Sequence, residues 1–242
     1  MNKARLHKNC EIYWLEEVPV QWEVKSINQI FDEVKCKNIG MKENNLLSLS
    51  YGNIKRRDIN ATEGLLPESF EGYNIIEKND IVLRLTDLQN DHKSLRTGIS
   101  KEKGIITSAY VTIRNKSANH SEYLQLFLHA FDLAKGFYNI GASGVRQSLN
   151  WDTIKSLKIL IPPIDEQKQI VEAIHDEYKL AEDAIAVIKH EIEFLKEYRT
   201  RLISDVVTGQ IDVRDIEIPD YIPEEDCSNE ESEVDSDAES NE

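Results

Sequence analysis

The stretch from Leu160 to Arg214 restricts the fold of this chain more than any other part of it. It opens Leu-Ile-Pro-Pro-Ile-Asp-Glu-Gln-Lys-Gln-Ile-Val, continues as a long helical pattern, and closes on Val207-Thr208-Gly209-Gln210-Ile211-Asp212-Val213-Arg214. Asp165 is placed to cap a helix, Glu166 to favour its dipole and Gly209 to stop it. From Tyr178 the apolar positions alternate by three and four: Tyr178, Ala181, Ile185, Ile188, Ile192, Leu195, Arg199, Leu202, Val206. Arg199 is the one break, and Ile170 and Ile174 extend the stripe upstream. A surface helix packed on its own domain would also show an apolar stripe. The heptad spacing and the length favour a coiled-coil seam instead. The pattern occurs once, so a partner not found within the chain has to be a second copy of it.

Charge is unevenly distributed. The net value of −15 over 242 residues argues at first against nucleic acid, but residues 217–242 hold twelve acidic groups and no Lys or Arg, contributing −12. Residues 163–216 contribute −6 and residues 1–162 are at +3. The whole-chain figure therefore describes the tail. The tail is too polar and like-charged to fold alone and is expected to be disordered. No apolar run is long enough for a membrane span, and Met1-Asn2-Lys3-Ala4-Arg5 does not lead into a signal core. Cys10, Cys36 and Cys227 are odd in number and widely spaced, which reads as free thiols and a cytoplasmic location.

Residues 11–162 read as a strand-rich mixed domain. Val20, Trp22 and Val24 alternate with polar residues, as do Leu47 and Leu49 ahead of a Tyr51-Gly52-Asn53 turn. Asp80 to Leu85 and Ile105 to Ile113 read as strands, the latter as one long β-branched run. Ser121 to Phe137 has helical spacing with Ser121 as its cap, Gly141 to Gly144 is a loop, and a capped turn at Asn150 precedes a last strand at Lys158–Ile161. The fold class is α+β. The chain divides into this mixed domain over 1–162, a long helix over 163–209, and an extension with acidic tail over 210–242.

Taken together in order, several of these segments resemble the specificity subunit of Type I restriction–modification enzymes. They are Trp14-Leu15-Glu16-Glu17-Val18-Pro19 with Trp22-Glu23-Val24-Lys25, then Arg96-Thr97-Gly98-Ile99 and Gly104-Ile105-Ile106-Thr107-Ser108-Ala109-Tyr110. Gly144-Val145-Arg146-Gln147-Ser148-Leu149, the Ile161-Pro162-Pro163 to Glu166-Gln167 junction, and Leu195-Lys196-Glu197-Tyr198-Arg199 to Thr208-Gly209 complete the set. Subunits of that family usually carry two target-recognition domains, each followed by such a helix, and the two helices pair antiparallel as a spacer. This chain has one of each and looks like a half-length form. The resemblance implies double-stranded DNA as ligand and methyltransferase and restriction–translocase subunits as partners. It also implies self-pairing or pairing with another half-subunit. S-adenosylmethionine, ATP and magnesium would be held by the partner subunits and no cofactor by this chain.

Catalytic motifs are missing. Ile161-Pro162-Pro163-Ile164 lacks the polar residue that a methyltransferase places before its Pro-Pro, and Gly141-Ala142-Ser143-Gly144 is too isolated for a nucleotide loop. Glu23-Val24-Lys25 and Glu33-Val34-Lys35 lack the Pro-Asp element of a nuclease, and His7, His92, His120, His129, His175 and His190 show no ligand spacing. The polar residues suit DNA contact better. The candidates are Lys55, Arg56 and Arg57 after a strand and turn, then Arg84, Thr86, Lys93 and Arg96 in a second basic loop. Arg146, Gln147 and Ser148 follow the glycine loop, and Ser108 and Tyr110 line the same face. Each basic run is also what a solvated surface looks like. A protein-interaction or inhibitory half-subunit without DNA specificity is the rival reading.

Overall fold

A computed structural model describes residues 7–9, 12, 15–60, 67, 69–88, 95–140 and 148–214. The expected glycine loop at Gly141 to Gly144, the candidates Lys93, Arg146 and Gln147, and the acidic tail lie outside those residues.

The chain runs through β1 (His7–Asn9), β2 (Glu17–Pro19), β3 (Glu23–Ser26), α1 (Ile27–Ile30), β4 (Phe31–Glu33), β5 (Leu47–Ser50) and β6 (Asn53–Arg56). Next come β7 (Asn74–Ile76), β8 (Ile81–Leu83), β9 (Thr97–Ile99), β10 (Gly104–Ile106) and β11 (Val111–Asn115). Then follow α2 (Ser121–Leu133), α3 (Gly136–Ile140), α4 (Trp151–Ile154), β12 (Lys158–Ile161) and α5 (Ile164–Val207). The architecture is α+β. An antiparallel sheet ordered β4-β11-β8-β9 is accompanied by two-stranded pairings of β1 with β2, β7 with β10, β3 with β12, and β5 with β6.

Two compact units result, Met1–Ala173 and Ile174–Glu242. In the first, β8 is buried on both faces. Ile81 and Leu83 join the larger core with Leu124, Leu128 and Phe131 of α2, whereas Val82 joins Leu47 and Leu49 of β5. The continuous run Ile-Val-Leu is what a doubly covered strand requires. Each such side chain contributes roughly 1.5–3 kcal/mol on burial. The unit closes when β12 pairs with β3, from Lys158 opposite Ser26 to Ile161 opposite Glu23.

The start of α5 is built into this unit. Gln167 is fully buried: its side-chain NH2 donates to Asn119 Oδ1 and to the Pro162 carbonyl, both at 2.8 Å, and its Oε1 accepts from the His120 amide at 2.8 Å. Glu166 accepts from the Trp22 indole N–H at 2.8 Å. Val171 is buried as well, so the contact boundary falls inside the helix rather than at Pro162-Pro163.

Local features differ from the sequence expectations at four points. Ile105 to Ile113 is two strands, because Thr107 to Tyr110 form a turn in which the Tyr110 amide donates to the Thr107 carbonyl. His120, not Ser121, is the residue before α2, and Ser121 is its first residue; that helix ends at Leu133, where Lys135 takes a positive φ of 57°. Asp165 lies in the first turn of α5 and not at its cap, since Pro163 supplies the carbonyl that accepts from the Gln167 amide at 3.0 Å. Val20 falls outside β3 and is exposed.

The second unit holds α5 from Ile174 onward. At its end the Gly209 amide donates to the Val206 carbonyl and the Gln210 amide to the Asp205 carbonyl, with Gly209 at φ 74°. This is the left-handed glycine closure that satisfies the last carbonyls of a helix. Tyr178, Ile185, Ile188, Ile192, Leu195 and Leu202 are between 38 % and 57 % exposed. Ala181 is exposed and Val206 half-buried. No described helix is long and apolar enough to cross a membrane.

Candidate nucleic-acid interface

The candidate interface is built on the hairpin of β5 and β6. The alternation Leu47-Ser48-Leu49-Ser50 sends both leucines into a core with Ile76, Val82 and Ile106 and leaves the serines on the other face. The strands pair in register, Ser48 opposite Lys55 and Ser50 opposite Asn53. Tyr51 and Gly52 form the two-residue turn with φ of 45° and 76°, the positive pair that matches hairpin twist.

Two glycines let the hairpin sit directly against its neighbours. A Cβ on Gly98 would lie 2.5 Å from Leu49 Cδ1 and 3.1 Å from the Gly52 carbonyl oxygen. One on Gly104 would lie 2.5 Å from the Asn45 carbonyl oxygen. Both belong to segments that carried the family resemblance, and close approach explains why they are glycine.

Of the predicted contacts, Lys55 and Arg57 are exposed, and among the described residues neither has an ion-pair partner. Arg56 is exposed but forms a bidentate pair with Glu102, which keeps the Glu102 carboxyl below the usual carboxylate range. Its charge is thus largely spent. Tyr110 is half-buried against the hairpin's core cluster, and Ser108 is exposed on the turn before it. Burial raises the Tyr73 phenol, with Tyr110 pushing it further up and Arg57 pulling it back.

A second group lies beyond the hairpin tip. The Gly52 amide donates to the Leu95 carbonyl at 3.1 Å, and the Arg84 amide to the Arg96 carbonyl at 2.9 Å. Arg84 and Thr86 are half-buried here, and exposed Ser148 precedes Leu149, whose amide donates to the Leu85 carbonyl.

Arg96 has to be withdrawn from the contact set. It is 4 % exposed, and its guanidinium donates to the carbonyls of Thr86 at 2.8 Å and of Arg84 and Asp87 at 3.3 Å. Its own amide donates to Asp132 Oδ2 at 2.9 Å. Buried and committed to backbone oxygens, it holds the loop in shape and presents nothing to a ligand. Glu23 with Lys25, and Glu33 with Lys35, are simple ion pairs at 2.7 Å.

Ser48, Ser50 and Asn53 share the outward face with Lys55, and Tyr51 stands at its turn, although no charge marks them in the sequence. The signal was there in the Leu-Ser-Leu-Ser alternation, which implies an opposite, polar face.

A family model for the Type I restriction modification DNA specificity domain matches residues 19–193. The MjaX type I restriction enzyme specificity subunit of Methanocaldococcus jannaschii is 23 % identical over 203 residues, 79 % of this chain and 47 % of the relative. A solved structure described as the basis of complex assembly and conformational transition of the type I R-M system covers 75 % of this chain and 45 % of its own. It has 13 % identity and a TM-score of 0.50. The specificity subunit from M. genitalium gives 14 % identity, a TM-score of 0.48 and coverage of 76 % and 46 %. The chain thus spans about half the length of the relatives it matches. With its matched segment running from the second strand into the long helix, the chain belongs to the Type I restriction modification DNA specificity domain family.

Proposed function

We propose that this chain is a non-catalytic DNA sequence-recognition subunit that pairs with a second copy, or with another half-subunit, through α5. The observation that carries this reading is the seam of exposed apolar residues on α5, attached to a unit of the specificity-domain family.

In an antiparallel pair each alternating seam position faces the complementary position of its partner. The register that matches most of them sets Ala181 opposite Val206, Ile185 opposite Leu202, Ile188 opposite Arg199, and Ile192 opposite Leu195. The stretch from Asp165 to Val207 spans roughly 65 Å at ~1.5 Å per residue, an upper limit of about 19 base pairs between recognition units. Two identical readers related by a twofold axis bind an inverted repeat with a fixed spacer. Outward residues such as Glu191, Lys196 and Glu197 would dock methyltransferase subunits carrying S-adenosylmethionine, and a restriction subunit using ATP and magnesium would join for cleavage.

The test is a selection from random duplex DNA, with and without a methyltransferase partner. An inverted repeat should be enriched, and removing two heptads from α5 should shorten its spacer. Enrichment with an unchanged spacer defeats the ruler. No preference in either condition favours the protein-interaction rival.

A further inference from the structure

We infer that the outward face of the β5–β6 hairpin is the element that reads bases, as a two-stranded ribbon lying in the major groove, with Asn53 and Lys55 as specificity-determining residues. The inference rests on the DNA-recognition reading above and names the part of the unit that performs it.

The two faces of the ribbon are chemically opposite. Leu47 and Leu49 are buried, and Ile54 packs against the same cluster. The other face carries the cross-strand pairs Ser50 with Asn53 and Ser48 with Lys55, followed by exposed Arg57. Those side chains are all hydrogen-bonding groups. An amide can pair bidentately with an adenine edge and an ammonium can donate to guanine O6 and N7. Arg56, opposite Leu47 and so not on this face, is turned to Glu102. Paired strands lie ~4.8 Å apart, so a two-stranded ribbon fits a major groove ~12 Å wide.

Rigidity is the second requirement of a reading element. The close approaches at Gly98 and Gly104, and the hydrogen bond that the Gly52 amide donates to the Leu95 carbonyl, fix the ribbon along its length. Its tip is the third observation. Tyr51 is 60 % exposed at φ 45°, a conformation in which a bulky side chain is strained. The hairpin turn imposes that φ, and keeping tyrosine there instead of glycine costs stability. A phenol at the tip is placed to donate to a phosphate at the groove edge.

Residues two apart on a strand are separated by ~6.7 Å, or about two base-pair steps of ~3.4 Å. Asn53 and Lys55 should therefore govern positions two base pairs apart in each half-site.

The experiment is selection from random duplex DNA with the full-length chain and its Lys55→Ala, Asn53→Ala and Tyr51→Gly variants, with thermal unfolding of each. Lys55→Ala should relax one base pair per half-site and weaken the selected site about ten-fold, leaving other positions intact. Asn53→Ala should relax a base pair two steps away. Tyr51→Gly should raise the unfolding midpoint by relieving the turn, yet weaken all sites alike. An unchanged selected sequence in both Lys55→Ala and Asn53→Ala would make the ribbon a phosphate clamp and overturn the inference while leaving DNA recognition standing. A wild-type chain that enriches no sequence would remove the underlying reading and this inference with it.

Discussion

In the unit that ends at Ala173, Ile81, Leu83, Ile113 and Leu124 are fully buried, and buried Arg96 and Gln167 each donate to two or more backbone or side-chain oxygens. Beyond Ile174 the same kinds of apolar residue stand about half exposed along a helix whose end is nonetheless properly closed by Gly209. The first region accounts for its own sequence. The second does not, because isoleucine at repeated three-four spacing gains nothing from water. A contiguous exposed apolar surface of this kind is the signature of an interaction site. On the proposed pairing, the contrast separates two uses of apolar residues, one to fold and one to associate, and each can be disturbed without the other.

The largest effect should come from the seam. Ile188→Lys with Ile192→Lys places four cations in a paired rod and should weaken self-association roughly 100-fold or more, while the unfolding midpoint of the first unit stays put. Sedimentation equilibrium reads this, and unchanged association would place the contact on another face. Next is Arg96→Ala, which leaves carbonyls of Arg84, Thr86 and Asp87 without their donor. It should cost about 3 kcal/mol in denaturant unfolding. If stability is kept and only the salt dependence of DNA binding falls, Arg96 is a phosphate contact after all.

The smallest effect concerns Asp132. Burial raises its carboxyl above the usual range, opposed by the Arg96 amide and by nearby Arg96, His129 and Lys135 charges. A raised folded-state value means the native chain binds this proton more tightly than the unfolded chain. Stability is then lost as pH rises from the ordinary carboxylate range through the raised value. Asp132→Asn keeps an oxygen for the Arg96 amide and should remove that slope, with the midpoint at neutral pH unchanged or up by about a degree or two. A variant less stable than the parent chain at neutral pH, yet equal to it at pH 4, would show that the charge itself holds the loop.

What was legible in the sequence follows from the range of the forces involved. The Asn150 cap, which accepts from the Thr153 amide at 3.0 Å, the Lys158–Ile161 strand and the Gly209 stop are local and were readable. The break at Thr107 to Tyr110 was not, since its turn has no Gly, Pro or Asn and is held by a threonine hydroxyl accepting from the Ala109 amide. Arg96 looked like a basic loop residue because the carbonyls that bury it are gathered only by the tertiary fold. Glu166 looked like a dipole partner, yet its indole donor lies on Trp22 at the other end of the domain. On the candidate face, charge drew attention to Lys55, Arg56 and Arg57, whereas only the register shows that Arg56 turns away and that Asn53 stands beside Lys55.

Disulfide trapping shows whether a second rod, running in reverse, completes α5. In a chain whose Cys10, Cys36 and Cys227 are replaced by serine, Ala181→Cys and Val206→Cys are purified separately, mixed and oxidised. The account predicts a mixed 181-to-206 disulfide as the main product, since the antiparallel register brings those positions within bonding range. Each variant cross-linking chiefly to itself would mean a parallel pair, and no cross-link at concentrations where the chain sediments as a monomer would contradict pairing altogether.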